Sequence, residues 1–260
     1  MSQAAHTRPY LLLTNDDGVM APGLLALAQR LGQVAELAII APEHNWSASG
    51  HSKTMHKPLR VRPTRLADGS EALTASGSPS DCVALALLGV LERTPDLVIS
   101  GINQGANVGH DLTYSGTVSA AMEAVIGGIP AIAISLDSYV DGRFEAAAAF
   151  AARLAQAVLA HGDGQARLLN VNVPALPKEE LRGVQITRLG QRIYRDALVK
   201  RADPRGQLYY WIGGEPPEGI PEEGTDIGAL SQGYISITPV ALDLTDHAAI
   251  EALKGWPLSL

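Results

Sequence analysis

The sequence predicts an α/β fold: a mainly parallel sheet with helices on both faces, followed by an extended C-terminal arm. Three observations carry this. Short apolar runs alternate with helical patterns along the first two thirds of the chain. Several of those runs stop at loops of small polar residues and glycine. After about residue 183 the alternation gives way to extended, aromatic-bearing segments.

Leu11-Leu12-Leu13 is too continuous for a half-exposed strand and reads as a buried parallel one. It ends at Thr14-Asn15-Asp16-Asp17-Gly18, so two adjacent carboxylates sit at its carboxyl end. Pro22 and Gly23 introduce a helix over 24–31, with Leu24, Leu27, Ala28 and Leu31 on one face. A second short strand, 37–41, is closed by Pro42 and followed by a polar loop, 43–51. Residues 54–75 read as extended segments around a turn at Asp68-Gly69-Ser70. Ser78, Pro79 and Asp81 are a helix start, with Ser78 as cap, proline at the first position and the acid three residues on. This predicts a helix to about residue 92. Strand 97–100 runs into a glycine-rich loop, 101–109. A small-residue helix, 118–126, begins after Ser115-Gly116-Thr117 and stops at Gly127-Gly128. A strand (131–135), an alanine-rich helix (144–159) and a strand ended by Pro174 (168–173) complete the alternation.

Beyond it, 184–189 and 193–199 look extended, 213–224 is rich in Pro, Gly and Glu, 234–238 is a strand and 247–253 a short helix. We therefore divide the chain into a core over 1–183 and a C-terminal part over 184–260. In the latter an arm, about 192–232, leaves the core and the last strand and helix return to it. Tyr194, Tyr209, Tyr210 and Trp211 concentrate aromatics on the arm, which suits a contact between subunits as well as an ordinary hairpin.

Composition narrows the function. A chain of 260 residues, 46% hydrophobic, can bury a sizeable core. Its net charge of −7 and lack of a basic block argue against binding long nucleic acids. Cys82 is the one cysteine and lies in an apolar stretch, as a buried structural thiol does. The polar start of the chain lacks the pattern of a secretory signal, and no apolar run is long enough to span a bilayer. These features predict a soluble, cytoplasmic protein.

The loops after three strands would project from one edge of a doubly wound sheet. They carry Asp16 and Asp17, then Ser47 and Ser49, then Asn103 and Asn107. Such hard oxygen donors suit Mg²⁺ or Mn²⁺ and not a structural zinc site. Gly105, Asn107, Ser115, Gly116 and Thr117 surround a helix N-terminus, whose free N–H groups and dipole favour a phosphate. A P-loop motif is absent. Two carboxylates after the first strand would repel the pyrophosphate of a dinucleotide.

Taken together, Thr14-Asn15-Asp16-Asp17-Gly18, Ser47, Ser76-Gly77-Ser78-Pro79, Ser100-Gly101-Ile102-Asn103-Gln104-Gly105-Ala106-Asn107 and Tyr114-Ser115-Gly116-Thr117-Val118 resemble the SurE family. Later blocks, Asp203-Pro204-Arg205-Gly206, Tyr210-Trp211-Ile212-Gly213-Gly214, Glu222-Glu223-Gly224-Thr225-Asp226 and Gly233-Tyr234-Ile235-Ser236-Ile237-Thr238-Pro239, extend the resemblance over nearly the whole chain. It implies a Rossmann-like core and a metal-dependent 5′-nucleotidase acting on nucleoside monophosphates, with 3′-nucleotides and short polyphosphate as further substrates. It also implies one divalent cation per subunit, on Asp16, Asp17, Ser47 and Asn103. Asn107, Ser115, Gly116 and Thr117 would then bind phosphate, and the arm would build a homodimer or homotetramer. In a metal-assisted hydrolysis Asp16 and Asp17 are the catalytic residues, either of which would accept the proton of the attacking water. The residues before Ser47, His44-Asn45-Trp46, depart from many relatives.

His44, His51, His56 and His110 are candidates for acid catalysis or for plain surface roles. Trp46 suits stacking on a base or covering its own loop, and Asp111 suits bracing the glycine-rich loop. A non-catalytic nucleotide sensor and an oligomeric scaffold with a structural metal are the competing functions.

Overall fold

The computed structural model describes residues 8–140, 142–162, 165 and 167–258. The polar N-terminal stretch lies outside the described residues up to position 7. In chain order the elements are β1 (Tyr10–Thr14), α1 (Pro22–Leu31), β2 (Glu36–Pro42), β3 (Val61–Arg65), β4 (Glu71–Ala75), α2 (Pro79–Leu85), β5 (Leu97–Gln104), α3 (Gly116–Ile126), β6 (Ala131–Asp137), α4 (Glu145–His161) and β7 (Leu168–Pro174). They are followed by β8 (Val184–Ile186), β9 (Arg192–Ala202), β10 (Leu208–Gly219), α5 (Asp226–Ser231), β11 (Ile235–Val240) and α6 (His247–Leu253).

Nine strands form one sheet in the order β3-β4-β2-β1-β5-β6-β7-β11-β8. From β4 to β7 every neighbouring pair is parallel. Alternation along the strands divides the core into two layers. Leu11 and Leu13 pack with Leu24, Leu27 and Leu31 of α1 and with Ala147, Ala151 and Ala155 of α4. Leu12 faces the other way, onto Cys82 and Val83 of α2 and Val118, Ala121 and Ala124 of α3. The small side chains of α3 and α4 let both helices lie close on the sheet. A one-residue slip of β1 would turn its carboxyl end, and with it Asp16, to the wrong layer.

The capping box of α2 forms as its sequence requires: Ser78 Oγ accepts the Asp81 N–H at 3.2 Å and Asp81 Oδ2 accepts the Ser78 N–H at 2.9 Å. Regular helix ends at Leu85 and not near residue 92. A wider turn follows over Ala86–Val90, with Gly89 at φ +124°, a conformation that L side chains avoid. The Pro/Gly/Glu tract at 213–224 begins inside β10. Pairing with β9 shifts register between Glu215 and Glu218 to let the strand pass this tract. β9 and β10 form a two-stranded ribbon of their own. α5, capped by the Thr225 hydroxyl, is a helix that the sequence pattern does not announce. β11 returns to the main sheet, antiparallel to β7. Among the described residues no helix is long and apolar enough to cross a membrane.

Candidate active site at the β1–β5 crevice

From β1 the chain winds outward to β2 and β4, and with β5 it begins again on the other side of β1. The strand order therefore reverses between β1 and β5, and ligands of open α/β sheets bind in the crevice at such a point. Thr14 pairs with Ser100. Asp16 and Asp17 thus leave the sheet at the same end as Asn103 and Gln104.

Asp16 is buried, 4% exposed. The Thr117 hydroxyl donates to its Oδ1 at 2.5 Å. The first turn of α3 lies directly on it: a Cβ at Gly116 would stand 2.7 Å from Asp16 Cβ. Burial pushes the Asp16 carboxyl above the usual carboxylate range, and the Thr117 hydroxyl and backbone N–H pull the other way. Asp17 is pushed up to about 6, by burial first and by the charge of Asp16 second, against the Gln104 N–H at 3.4 Å. Two adjacent carboxylates, each costly to ionise, form a place that a cation stabilises.

The loop after β2 closes on this pair. Trp46 N–H donates to the Asp16 carbonyl at 2.8 Å, and Asn45 Nδ2 donates to Asp17 Oδ1 at 3.2 Å. Asn45 Oδ1 in turn accepts the Ser47 N–H at 2.7 Å and the Ser47 hydroxyl at 2.6 Å. Ser47 is exposed and is tied to the aspartates through Asn45. Asn103 Nδ2 donates to the Gly105 carbonyl at 2.7 Å, and its amide oxygen is the atom suited to a cation. The donors are then two carboxylates, an amide oxygen and a hydroxyl. They fit a hard divalent ion. Among the described residues no group of three or more His, Cys, Asp or Glu side chains is placed to hold a metal.

Asn107 is held from three sides. Its N–H donates to Asn172 Oδ1 at 2.8 Å, its carbonyl accepts from Asn170 and Asn172 at 2.9 Å each, and its Nδ2 donates to Ser135 at 2.9 Å. Ser115 caps α3, accepting the Val118 N–H at 3.1 Å. A cavity of about 370 Å³ opens beside Asp17, walled by Gly18, Met20, Glu43, His44, Gln104 and Phe144. A larger one, about 510 Å³, lies at the opposite edge of the sheet near Asp96, Pro130 and Arg167, away from all of these donors.

The family model described as Survival protein SurE matches residues 11–196. The chain belongs to the SurE family. It is 53% identical over 249 residues to a protein of Chloroflexus aggregans named 5′-nucleotidase SurE, covering 95% of this chain and 98% of that protein. A protein of the same name from Herpetosiphon aurantiacus is 54% identical over 246 residues, with 94% and 96% covered. A crystal structure of the SurE protein from Aquifex aeolicus superposes with a TM-score of 0.81 at 42% identity, over 95% of this chain and 98% of that one.

Of the residues that the SurE resemblance singles out, the structure brings Asp16, Asp17, Gly116 and Thr117 together, links Ser47 to them through Asn45, and ties Asn103 to Gly105. Thr117 spends its hydroxyl on Asp16 and so orients a carboxylate. Of the four candidate histidines only His44 shares a wall with the acidic pair. His44 lines the cavity by Asp17, His51 pairs with Glu123 at 3.1 Å, and His56 and His110 are exposed. Trp46 is half-buried in its loop. Asp111 receives Arg192 and the Tyr194 hydroxyl. Sequence reasoning missed Asn45, Ser135, Asn170 and Asn172, and gave Asp226 no role beyond its place in the Glu222–Asp226 block of the SurE resemblance. A further signal lay in Asn170 and Asn172, two amides on one face of an otherwise apolar strand.

Proposed function

We propose that this chain is a 5′-nucleotidase that hydrolyses nucleoside 5′-monophosphates to nucleoside and phosphate, with one divalent cation per subunit. The observation that carries the reading is the Asp16–Asp17 pair at the strand-order reversal with the first turn of α3 set against it. The SurE relatives named 5′-nucleotidase, about half identical over nearly the full length, supply the substrate class. Action on 3′-nucleotides and short polyphosphate belongs to the same reading.

Asp16, Asp17, Asn103 and Ser47 would hold the cation, Mg²⁺ or Mn²⁺. When bound, it would neutralise phosphoryl charge and help to activate water. The chain's own groups do the rest. Gly105 and Gly116 let the backbone approach the phosphoryl oxygens, and the Asn107 side chain and the Ser115 hydroxyl supply polar contacts to them. The N-terminus of α3 favours the charge that builds up in the transition state. Thr117 fixes the orientation of Asp16. Asp17, less buried and on the cavity wall, is the better placed of the two acids to take the proton of the attacking water at its carboxylate.

Residues 1–183 form the catalytic part in this reading and 184–260 the part that assembles subunits. The β9–β10 ribbon exposes Leu198, Trp211 and Ile212 (66%, 65% and 82%), which supports a homodimer or homotetramer built on it. A reducing, cytoplasmic setting suits the buried free thiol of Cys82. A phosphate-release assay over 5′- and 3′-mononucleotides and short polyphosphate, with and without chelator and with Mg²⁺ or Mn²⁺ restored, tests the reading. Nucleotide binding without phosphate release would refute it.

A further inference from the structure

Asp226, the first residue of α5, is fully buried, and its carboxylate accepts three backbone N–H groups. Oδ2 accepts from Gly109 at 2.9 Å; Oδ1 accepts from Gly190 at 2.7 Å and from Ile227 at 2.8 Å. These partners lie far apart in the chain. Gly109 ends the glycine-rich loop that carries Gly105 and Asn107. Gly190 leads into β9, and Asp226 itself follows β10. One carboxylate thus fastens both roots of the ribbon to the loop.

The packing leaves no room between them. A Cβ at Gly109 would stand 2.7 Å from the Gly190 carbonyl oxygen, and a Cβ at Gly190 would stand 2.9 Å from Asp226 Oδ1. A second fastening lies close by in sequence. Asp111, two residues past Gly109, receives the Arg192 guanidinium and the Tyr194 hydroxyl of β9. On its other side the loop is held by Asn170 and Asn172 of β7, which engage both backbone groups of Asn107.

We propose that Asp226 is a positioning residue for phosphate binding: by fixing the Gly109 N–H it sets the backbone of the glycine-rich loop and hence the aim of the Asn107 side chain. The inference rests on the assignment of Gly105 and Asn107 to the phosphoryl group made above. Through this carboxylate the root of the C-terminal ribbon becomes a supporting wall of the site.

The two oxygens of Asp226 make the idea testable. In Asp226→Asn the amide oxygen keeps Gly190 and Ile227, and the NH₂ group turns against the Gly109 N–H, donor facing donor. The ribbon root is retained while the link to the loop is broken. For the metal-loaded oligomer of Asp226→Asn we expect the KM for a nucleoside 5′-monophosphate and the inhibition constant of inorganic phosphate to rise together, about tenfold or more. The half-saturating Mn²⁺ concentration should stay within about twofold, because the Asp16, Asp17 and Asn103 side chains are untouched. A lowered melting temperature with KM and phosphate inhibition unchanged would overturn the proposal, leaving Asp226 a fastener of the fold alone. Should Asp226→Asn not fold, Arg192→Lys and Tyr194→Phe loosen the neighbouring fastening at Asp111. Each must then raise the phosphate inhibition constant several-fold, and no change in either overturns the proposal. Asn107→Ala and Ser115→Ala separate the two levels of the argument. If they leave KM unchanged, the phosphate assignment fails and the proposal with it. If they raise KM and Asp226→Asn does not, only the role of Asp226 fails.

Discussion

The Thr117 hydroxyl and the Asp16 carboxylate, 101 residues apart in sequence, meet at 2.5 Å beneath the first turn of α3. A hydrogen bond to a buried carboxylate contributes about 1.5–3 kcal/mol. Thr117→Val keeps the shape and removes the donor. We expect kcat/KM to fall about 10–100-fold, with a higher metal requirement and an unchanged circular dichroism spectrum. Thr117→Ser should keep most of the activity. A fully active valine variant would show that this contact does not orient Asp16 for catalysis.

Asp17 meets the neighbouring strand and the Ser47 loop, through the Gln104 N–H and Asn45. Asp17→Asn should lower phosphate release by about 10²-fold or more while the melting temperature stays near that of the parent. Chelator should silence the parent enzyme and Mn²⁺ or Mg²⁺ should restore it. Full turnover in excess chelator would rule out the metal-assisted reading.

Gly116 has a specific steric reason to be glycine. The Cβ of Gly116→Ala would stand 2.7 Å from Asp16 Cβ, on a side chain that is itself buried. Relieving the clash should cost about 1–3 kcal/mol of stability. It should also displace Asp16, so activity is lost with stability, as paired urea unfolding and phosphate-release measurements would show. Unchanged values of both would mean that α3 can shift freely over Asp16.

Asp81 links the cap of α2 to the segment before β3. Its carboxylate accepts the Thr54 N–H and hydroxyl as well as the Ser78 N–H. Burial alone would raise its pKa, but these bonds from Thr54 and Ser78 outweigh it and hold it below the ordinary value of 3.8. A group with a lowered folded pKa stabilises the protein above the unfolded value, and that contribution is lost as pH falls through the folded one. Asp81→Ala should therefore cost about 1–2 kcal/mol at pH 7, and the difference from the parent should shrink below about pH 4. Urea unfolding at both pH values measures this; a constant difference would contradict it.

The ribbon can be shortened without touching Arg192, Tyr194 or Asp226. Replacing residues 196–214 by a two-residue Asn-Gly turn keeps the pairing of Ile193 with Glu218. Light scattering should then report a smaller particle than for the parent chain. An unchanged mass would place the subunit contact elsewhere.

Much of the fold is local in origin and legible for that reason. The run at Leu11, the Ser78 box and the Ser115 cap act within a few residues of themselves. Where the prediction strayed, the cause was local too: after Leu85 the chain widens its turn, and Gly89 at φ +124° breaks helical geometry short of residue 92, a choice the side-chain pattern does not display.

The site divides along a different line. The sequence by itself marked groups with the atoms that a cation and a phosphate require: Asp16, Asp17, Asn103 and the 115–117 segment at strand and helix ends, with Ser47 drawn in by its loop and by the SurE resemblance. Only the tertiary structure decided what each atom does. It gave the Thr117 hydroxyl to Asp16, set Asn45 between Ser47 and Asp17, and placed Asn170, Asn172 and Asp226 behind the glycine-rich loop. A buried polar group takes whichever partner folding brings within about 3 Å. For Gly109 that partner is Asp226, 117 residues away, and no spacing in the chain records it.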